Sequence, residues 1–185
     1  MTNYLTINRK IITTKALYIA ISVIAAVSLP QIFHLVGAAS GMGTELGAAF
    51  LPMHLPVFLV GLMAGPVAGL IAGMLSPLLS FALSGMPSAV MLPNMIAELA
   101  GYGLFAGLLY NSKMPVFGKL LLAQIAGRIL KAVVILLSVY AFGSKANAVP
   151  MIWNSIVTGL PGILLQWSLI PLFMFWFYNR KKKHE

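Results

Sequence analysis

The chain has 185 residues, 60% of them hydrophobic and 8% charged, with a mean hydropathy of +0.96 and a net charge of +9. A soluble domain carries about 25% charged residues, so this composition is that of an integral membrane protein and excludes a soluble enzyme or nucleic-acid-binding module. At about 20 apolar residues per span, the length allows about six spans in one compact all-α bundle, with no room for a soluble domain.

The basic residues lie where cytoplasmic faces are expected. Arg9, Lys10 and Lys15 precede the first apolar run, Lys113 and Lys119 flank a middle loop, and Arg-Lys-Lys-Lys occupies 180–183. The loops around 37–47 and 84–88 hold no Lys or Arg. Only Lys145 falls in a loop assigned to the outside. The positive-inside rule then places both termini in the cytoplasm, which requires an even number of spans. The first apolar run is too long, and lacks a suitably placed cleavage site, to be a removed signal peptide. Without cysteine there are no disulfides or thiolate metal sites, and no metal or cofactor is expected. No G-x-x-x-x-G-K-S/T loop is present, so any transport draws its energy from a partner or a gradient.

The first span is expected at 11–36. Ala16 and Ala20 lie one turn apart, with Ser22 and Ala26 continuing a small-residue stripe. Such a stripe lets another helix approach closely, either a partner or a neighbour in the bundle. Pro30 and His34 sit near the outer end. A Gly- and Ala-rich outer loop with Glu45 follows at 37–47. Leu51-Pro-Met-His-Leu-Pro56 then enters the second span, 51–64. Two prolines around His54 make a stiff, non-helical entry that needs shelter in protein or water. His54 is either a ligand contact or an interfacial histidine wetted by solvent.

Gly65-Pro66 turns the chain tightly into the third span, 66–84. Gly61, Gly65, Gly69 and Gly73 recur every four residues, which predicts close backbone contact between spans two and three. An interruption is expected at Ser76-Pro77, and an outer turn at 84–88. The fourth span is read at 90–110, the fifth at 118–142 and the sixth at 151–178, kinked near 159–162. Trp176, Phe177 and Tyr178 form an interfacial aromatic belt.

Spans four and five carry the costly residues: Asn94 and Glu98 on one, Gln124, Arg128 and Lys131 on the other. Ionisable side chains at bilayer depth are usually kept for a partner, a ligand or a pathway. From the helical rise, Glu98 lies roughly 15 Å from the outer end of its span and Arg128 roughly 13 Å from the inner end of the next. The two are expected to meet near the midplane. Asn94 and Lys131, each about one turn outward, form a second tier. Asn154 and Thr158 share a face of span six at matching depth. One reading is a polar pocket opening outward, floored by an ion pair, with a surplus positive charge suited to an anionic ligand. The other is a structural Glu98–Arg128 pair with Lys131 snorkelling to the surface. A catalytic site is not expected: one acid lies in a span, and His34 and His54 have no evident acidic neighbour but Glu45.

Ala16-x-x-x-Ala20 in this topology resembles the docking motif of the substrate-binding S components of energy-coupling factor (ECF) vitamin transporters. More specific are Leu51-Pro-Met-His-Leu-Pro56, Leu78-Leu-Ser-Phe-Ala-Leu-Ser-Gly-Met-Pro87, Ile96-Ala-Glu-Leu-Ala-Gly-Tyr-Gly103 and Ala126-Gly-Arg128. Together they are similar to a branch whose substrate is taken as pantothenate. The resemblance covers nearly the whole chain. It implies a multi-pass cell-membrane subunit that binds a vitamin in an outward pocket built from spans four to six, capped by the loops after spans one and three. It also implies partners, a transmembrane coupling subunit docking at Ala16 and Ala20 and two ATPases, and toppling in the membrane to deliver the vitamin. His54, Asn94, Glu98, Arg128, Lys131 and Asn154 are the expected ligand-binding residues. A hydroxyl or ring nitrogen on Glu98 suits pyridoxine or a hydroxymethylpyrimidine instead, and a stand-alone transporter coupled to protons through Glu98 is a further alternative.

Overall fold

The computed structural model describes residues 2–144 and 149–182, and no strand occurs among them. Lys145 and Lys183 lie outside the described residues, as do the side chains of Arg9, Lys10, Lys181 and Lys182. In chain order the helices are α1 (Thr2–Ala39), α2 (Glu45–Phe50), α3 (His54–Ala64), α4 (Pro66–Ser84), α5 (Leu92–Leu108), α6 (Val116–Tyr140), α7 (Pro150–Thr158) and α8 (Leu160–Lys182).

The breaks fall where the backbone is least able to continue a helix. Leu51 takes a left-handed conformation (φ 49°, ψ 48°) between α2 and α3. Gly65, at φ 91°, ends α3, and Pro66 opens α4 in the first turn, where its missing N–H costs nothing. The bend expected in the last span is a full break, with α7 ending at Thr158 and α8 starting at Leu160.

Five stretches are long and apolar enough to cross a membrane: Ile12–Ala39, Glu45–Ala64, Pro66–Ser84, Val116–Tyr140 and Leu160–Arg180. The second of these is not one helix, because Leu51 divides it and α3 alone has 11 residues. The span expected at 90–110 is α5, which has 17 residues and is about 25 Å long at the helical rise.

α5 is the centre of the packing. The glycine ladder faces it, rather than joining α3 to α4 as the spacing had predicted. Gly69 of α4 and Gly103 of α5 meet backbone to backbone, leaving no room for a Cβ on either. Gly73 lies against Leu99, Gly61 against Gly103 and Ala106, and Gly107 against Pro66. On the other flank Gly101 abuts Gly127 of α6. α5 supplies its own glycines at 101, 103 and 107, so the closest approach is to α4 and α6. Around it packs an apolar cluster with Phe58 and Tyr102 stacked at 4.7 Å between ring centroids. Lys119 closes the C-terminal end of α5, its Nζ donating to the Tyr110 carbonyl at 3.0 Å.

Two further expectations are corrected. α4 runs unbroken through Ser76-Pro77; the buried Ser76 hydroxyl donates to the Ala72 carbonyl at 2.7 Å, adding a bond to the turn from which Pro77 removes one. The stripe on α1 is two faces. Ala16 and Ala20 are exposed, whereas Ser22 and Ala26 are buried, and the Ser22 hydroxyl donates to the Pro56 carbonyl at 3.0 Å. At about 100° per residue, Ser22 lies about 240° round the helix from Ala16, so the two pairs never shared a side.

Candidate ligand-binding site

A cavity of about 630 Å³ lies among the C-terminal part of α1, α2, the start of α3, the α4–α5 turn, α5, α6 and α7. Its polar wall comes from few positions. α5 contributes Asn94 and Glu98, one turn apart on one face, and α6 contributes Lys131. α7 contributes Asn154, Ser155 and Thr158, and His54 enters from the first turn of α3. The close approach of Gly101 to Gly127 sets the distance between α5 and α6. Arg128, the next residue along, is thereby carried within reach of Glu98.

Glu98, 2% exposed, is the hub. Lys131 Nζ donates to Oε2 at 2.8 Å. Arg128 Nε lies 3.3 Å from Oε1, and the Tyr102 hydroxyl donates to Oε1 at 2.9 Å. Arg128 also donates from Nη1 to Ser155 Oγ at 3.2 Å, which ties α6 to α7. A carboxylate this deep is tolerable only with such partners, because stripping one member of a buried charge cluster leaves an uncompensated ion. Two cations face one anion, so the cluster carries a surplus of one positive charge.

The sequence-expected residues are largely brought together. Glu98 and Arg128 meet, as their depths predicted. Lys131 does not stand one tier above them or snorkel outward; it bends onto Glu98, making one cluster rather than two. It lines the cavity while Arg128 reinforces the wall from behind. Asn154 and Thr158 both face the cavity from α7.

His54 differs from its solvent-wetted alternative. It is 3% exposed, with Nε2 3.9 Å from Glu98 Oε2 and its ring 5.3 Å from that of Tyr102. It therefore has an acidic neighbour, because the turn at Leu51 starts α3 inside the bundle. At 3.9 Å the pair is too long for a hydrogen bond, and neither ring nitrogen has another hydrogen-bond partner among the described residues. A buried polar ring facing a cavity with open bonding capacity is suited to receive a ligand group.

Tyr102 and Ser155 were missed from sequence. Tyr102 had a signal, four residues after Glu98 on the same face. Ser155, beside Asn154, had none. His34 also lines the cavity, with its buried Nδ1 unpartnered among the described residues. Met53, Met86, Met91, Met95 and Met151 supply much of the apolar wall. Gln124 lies apart from the site: it accepts from Trp167 Nε1 at 2.7 Å and donates to Gln166 Oε1 at 2.9 Å, joining α6 to α8. Among the described residues no three His, Asp or Glu side chains gather as a metal site would need.

A family model described as "ECF transporter, substrate-specific component" matches residues 10–178. No curated protein and no solved structure matches the chain.

Proposed function

The chain belongs to the substrate-specific component family of ECF transporters, and on that premise we propose that it is the vitamin-binding membrane subunit of an ECF-type importer, with pantothenate as its vitamin. The observation that carries the choice is the charge of the cavity wall. Glu98 is already held by Lys131, Arg128 and Tyr102, so the surplus positive charge is left for the ligand. Pantothenate brings one carboxylate, two hydroxyls and an amide. Lys131, with ammonium donors beyond the one given to Glu98, takes the carboxylate. His54, Asn94 and Asn154 meet the hydroxyls and the amide, and the methionines give the remainder an adaptable apolar wall. Arg128 acts by holding Glu98 and Ser155 in place.

The three donors already on Glu98 argue against a ring-nitrogen contact to pyridoxine or a hydroxymethylpyrimidine, and against a proton-carrying role in a stand-alone transporter. In this reading α5 is the fourth of six spans and both termini face the cytoplasm. The exposed Ala16 and Ala20 dock on a transmembrane coupling subunit, which works with two ATPases. Mass spectrometry of the small molecule that co-purifies, followed by calorimetry, tests the reading. Pantothenate, bound tightly by the isolated chain, is the expected result. A cationic ligand, or uptake by the chain alone in ATP-free vesicles, would refute it.

A further inference from the structure

Away from the cavity, α3 and α8 leave an apolar groove of about 510 Å³ between them, lined by Leu55, Leu59, Leu169, Leu172, Phe173 and Trp176. At one end the Arg180 guanidinium lies over the Trp176 ring, 4.2 Å from its centroid. Stacking uses the flat face of a guanidinium and leaves the N–H donors around its edge available. Among the described residues no carboxylate takes them up. The chain has three acidic residues; of these, Glu98 is held in the cavity cluster and Glu45 opens α2. The sequence runs on from Arg180 as Lys-Lys-Lys, which adds to the positive charge at this end.

We propose that the groove is a binding site for an anionic phospholipid, with one acyl chain along its leucine wall and the phosphate accepting hydrogen bonds from Arg180. The two halves are in register for such a molecule. The α8 side of the wall belongs to the stretch Leu160–Arg180, long and apolar enough to cross a membrane, and the cation closes that same stretch. A lipid presents an apolar tail and an anionic head in that order. Basic pockets between transmembrane helices recognise anionic headgroups in this way. A zwitterionic lipid offers the same tail but sets a second cation beside Arg180, so the headgroup charge decides the preference. The surface is distinct from the exposed Ala16 and Ala20 of α1.

Native mass spectrometry of the full chain in detergent, with dioleoyl phosphatidylglycerol or phosphatidylcholine added, tests this. The wild type should retain phosphatidylglycerol about fivefold more than phosphatidylcholine, the ratio set by one basic residue at an anionic headgroup. Arg180→Gln should reduce the preference for phosphatidylglycerol while both lipids still bind. Leu172→Trp, which fills the groove, should reduce retention of both; Leu59→Trp fills it from the α3 side should the first variant not fold. Equal retention by the wild type would overturn the proposal, as would an undiminished preference in Arg180→Gln. A filled groove that keeps its lipid but no longer assembles with the coupling subunit would make the surface a protein interface and would also overturn it.

Discussion

α6 carries two polar clusters a single turn apart, and they are built for different ends. At Gln124 the side-chain oxygen accepts from Trp167 and the amide donates to Gln166. At Arg128 and Lys131 the side chains converge on Glu98 beside a cavity of about 630 Å³, with a net charge left over and His54 without a hydrogen-bond partner among the described residues. The lower cluster ties α6 to α8, and Gln124 has both ends engaged. The upper one has bonding capacity that no described residue fills. The lower cluster also holds an open donor among the described residues, Gln166 Nε2, but it has no charged side chain and lines no part of this cavity. A polar side chain within the bilayer marks a ligand when charge and open bonding capacity adjoin a cavity, and packing when they do not.

The largest effect should come from removing the hub. Glu98→Ala leaves Arg128 and Lys131, each partly buried, without their anion, and a loss of about 3 kcal/mol of stability is expected, the low end for breaking a buried charge cluster. Thermal and denaturant unfolding in detergent measures it; an unchanged midpoint would mean that the cations have other partners. Next is Lys131→Met, which keeps the Glu98–Arg128 pair but removes the cation on the wall. Calorimetry should show vitamin affinity falling by about 30-fold or more, the lower range for losing one member of a buried charge pair. An intact affinity would move the carboxylate subsite elsewhere.

Gln124→Leu is the control from the other cluster. It should cost about 2 kcal/mol of stability, the scale of the two hydrogen bonds it removes, and leave the dissociation constant unchanged. Weakened ligand binding would erase the distinction between the two clusters. The smallest effect on the purified chain belongs to Ala16→Leu with Ala20→Leu. Both residues are exposed, so folding and vitamin binding should stay as they are while uptake by the assembled transporter stops. Normal uptake in a cellular assay would remove this face from docking.

Much of this was legible from the sequence because lipid narrows the choices. Glu98 and Arg128 had few companions at bilayer depth, and helical rise alone put them at one level. The Gly65-Pro66 turn and the break near Gly159 followed from backbone chemistry. What escaped depended on azimuth rather than depth. The glycine ladder was visible, but which helix it faced rested on Gly101, Gly103 and Gly107 of α5 meeting it. The burial of His54 turned on the left-handed Leu51, a conformation that a leucine does not advertise. Ser155 had no signal, since a serine in an apolar run is usually bonded to its own helix, as Ser155 also is to the Ile152 carbonyl.

The short helices α2 and α7 rim the cavity, and neither has a buried residue, whereas α5 is clamped through its glycines to α4 and α6. Local stability follows such differences in packing. A ligand in the cavity therefore meets a firmly packed floor and a lightly held rim. Changes confined to α2, which supplies none of the proposed ligand contacts, should alter how fast the ligand enters and leaves more than which ligand is chosen.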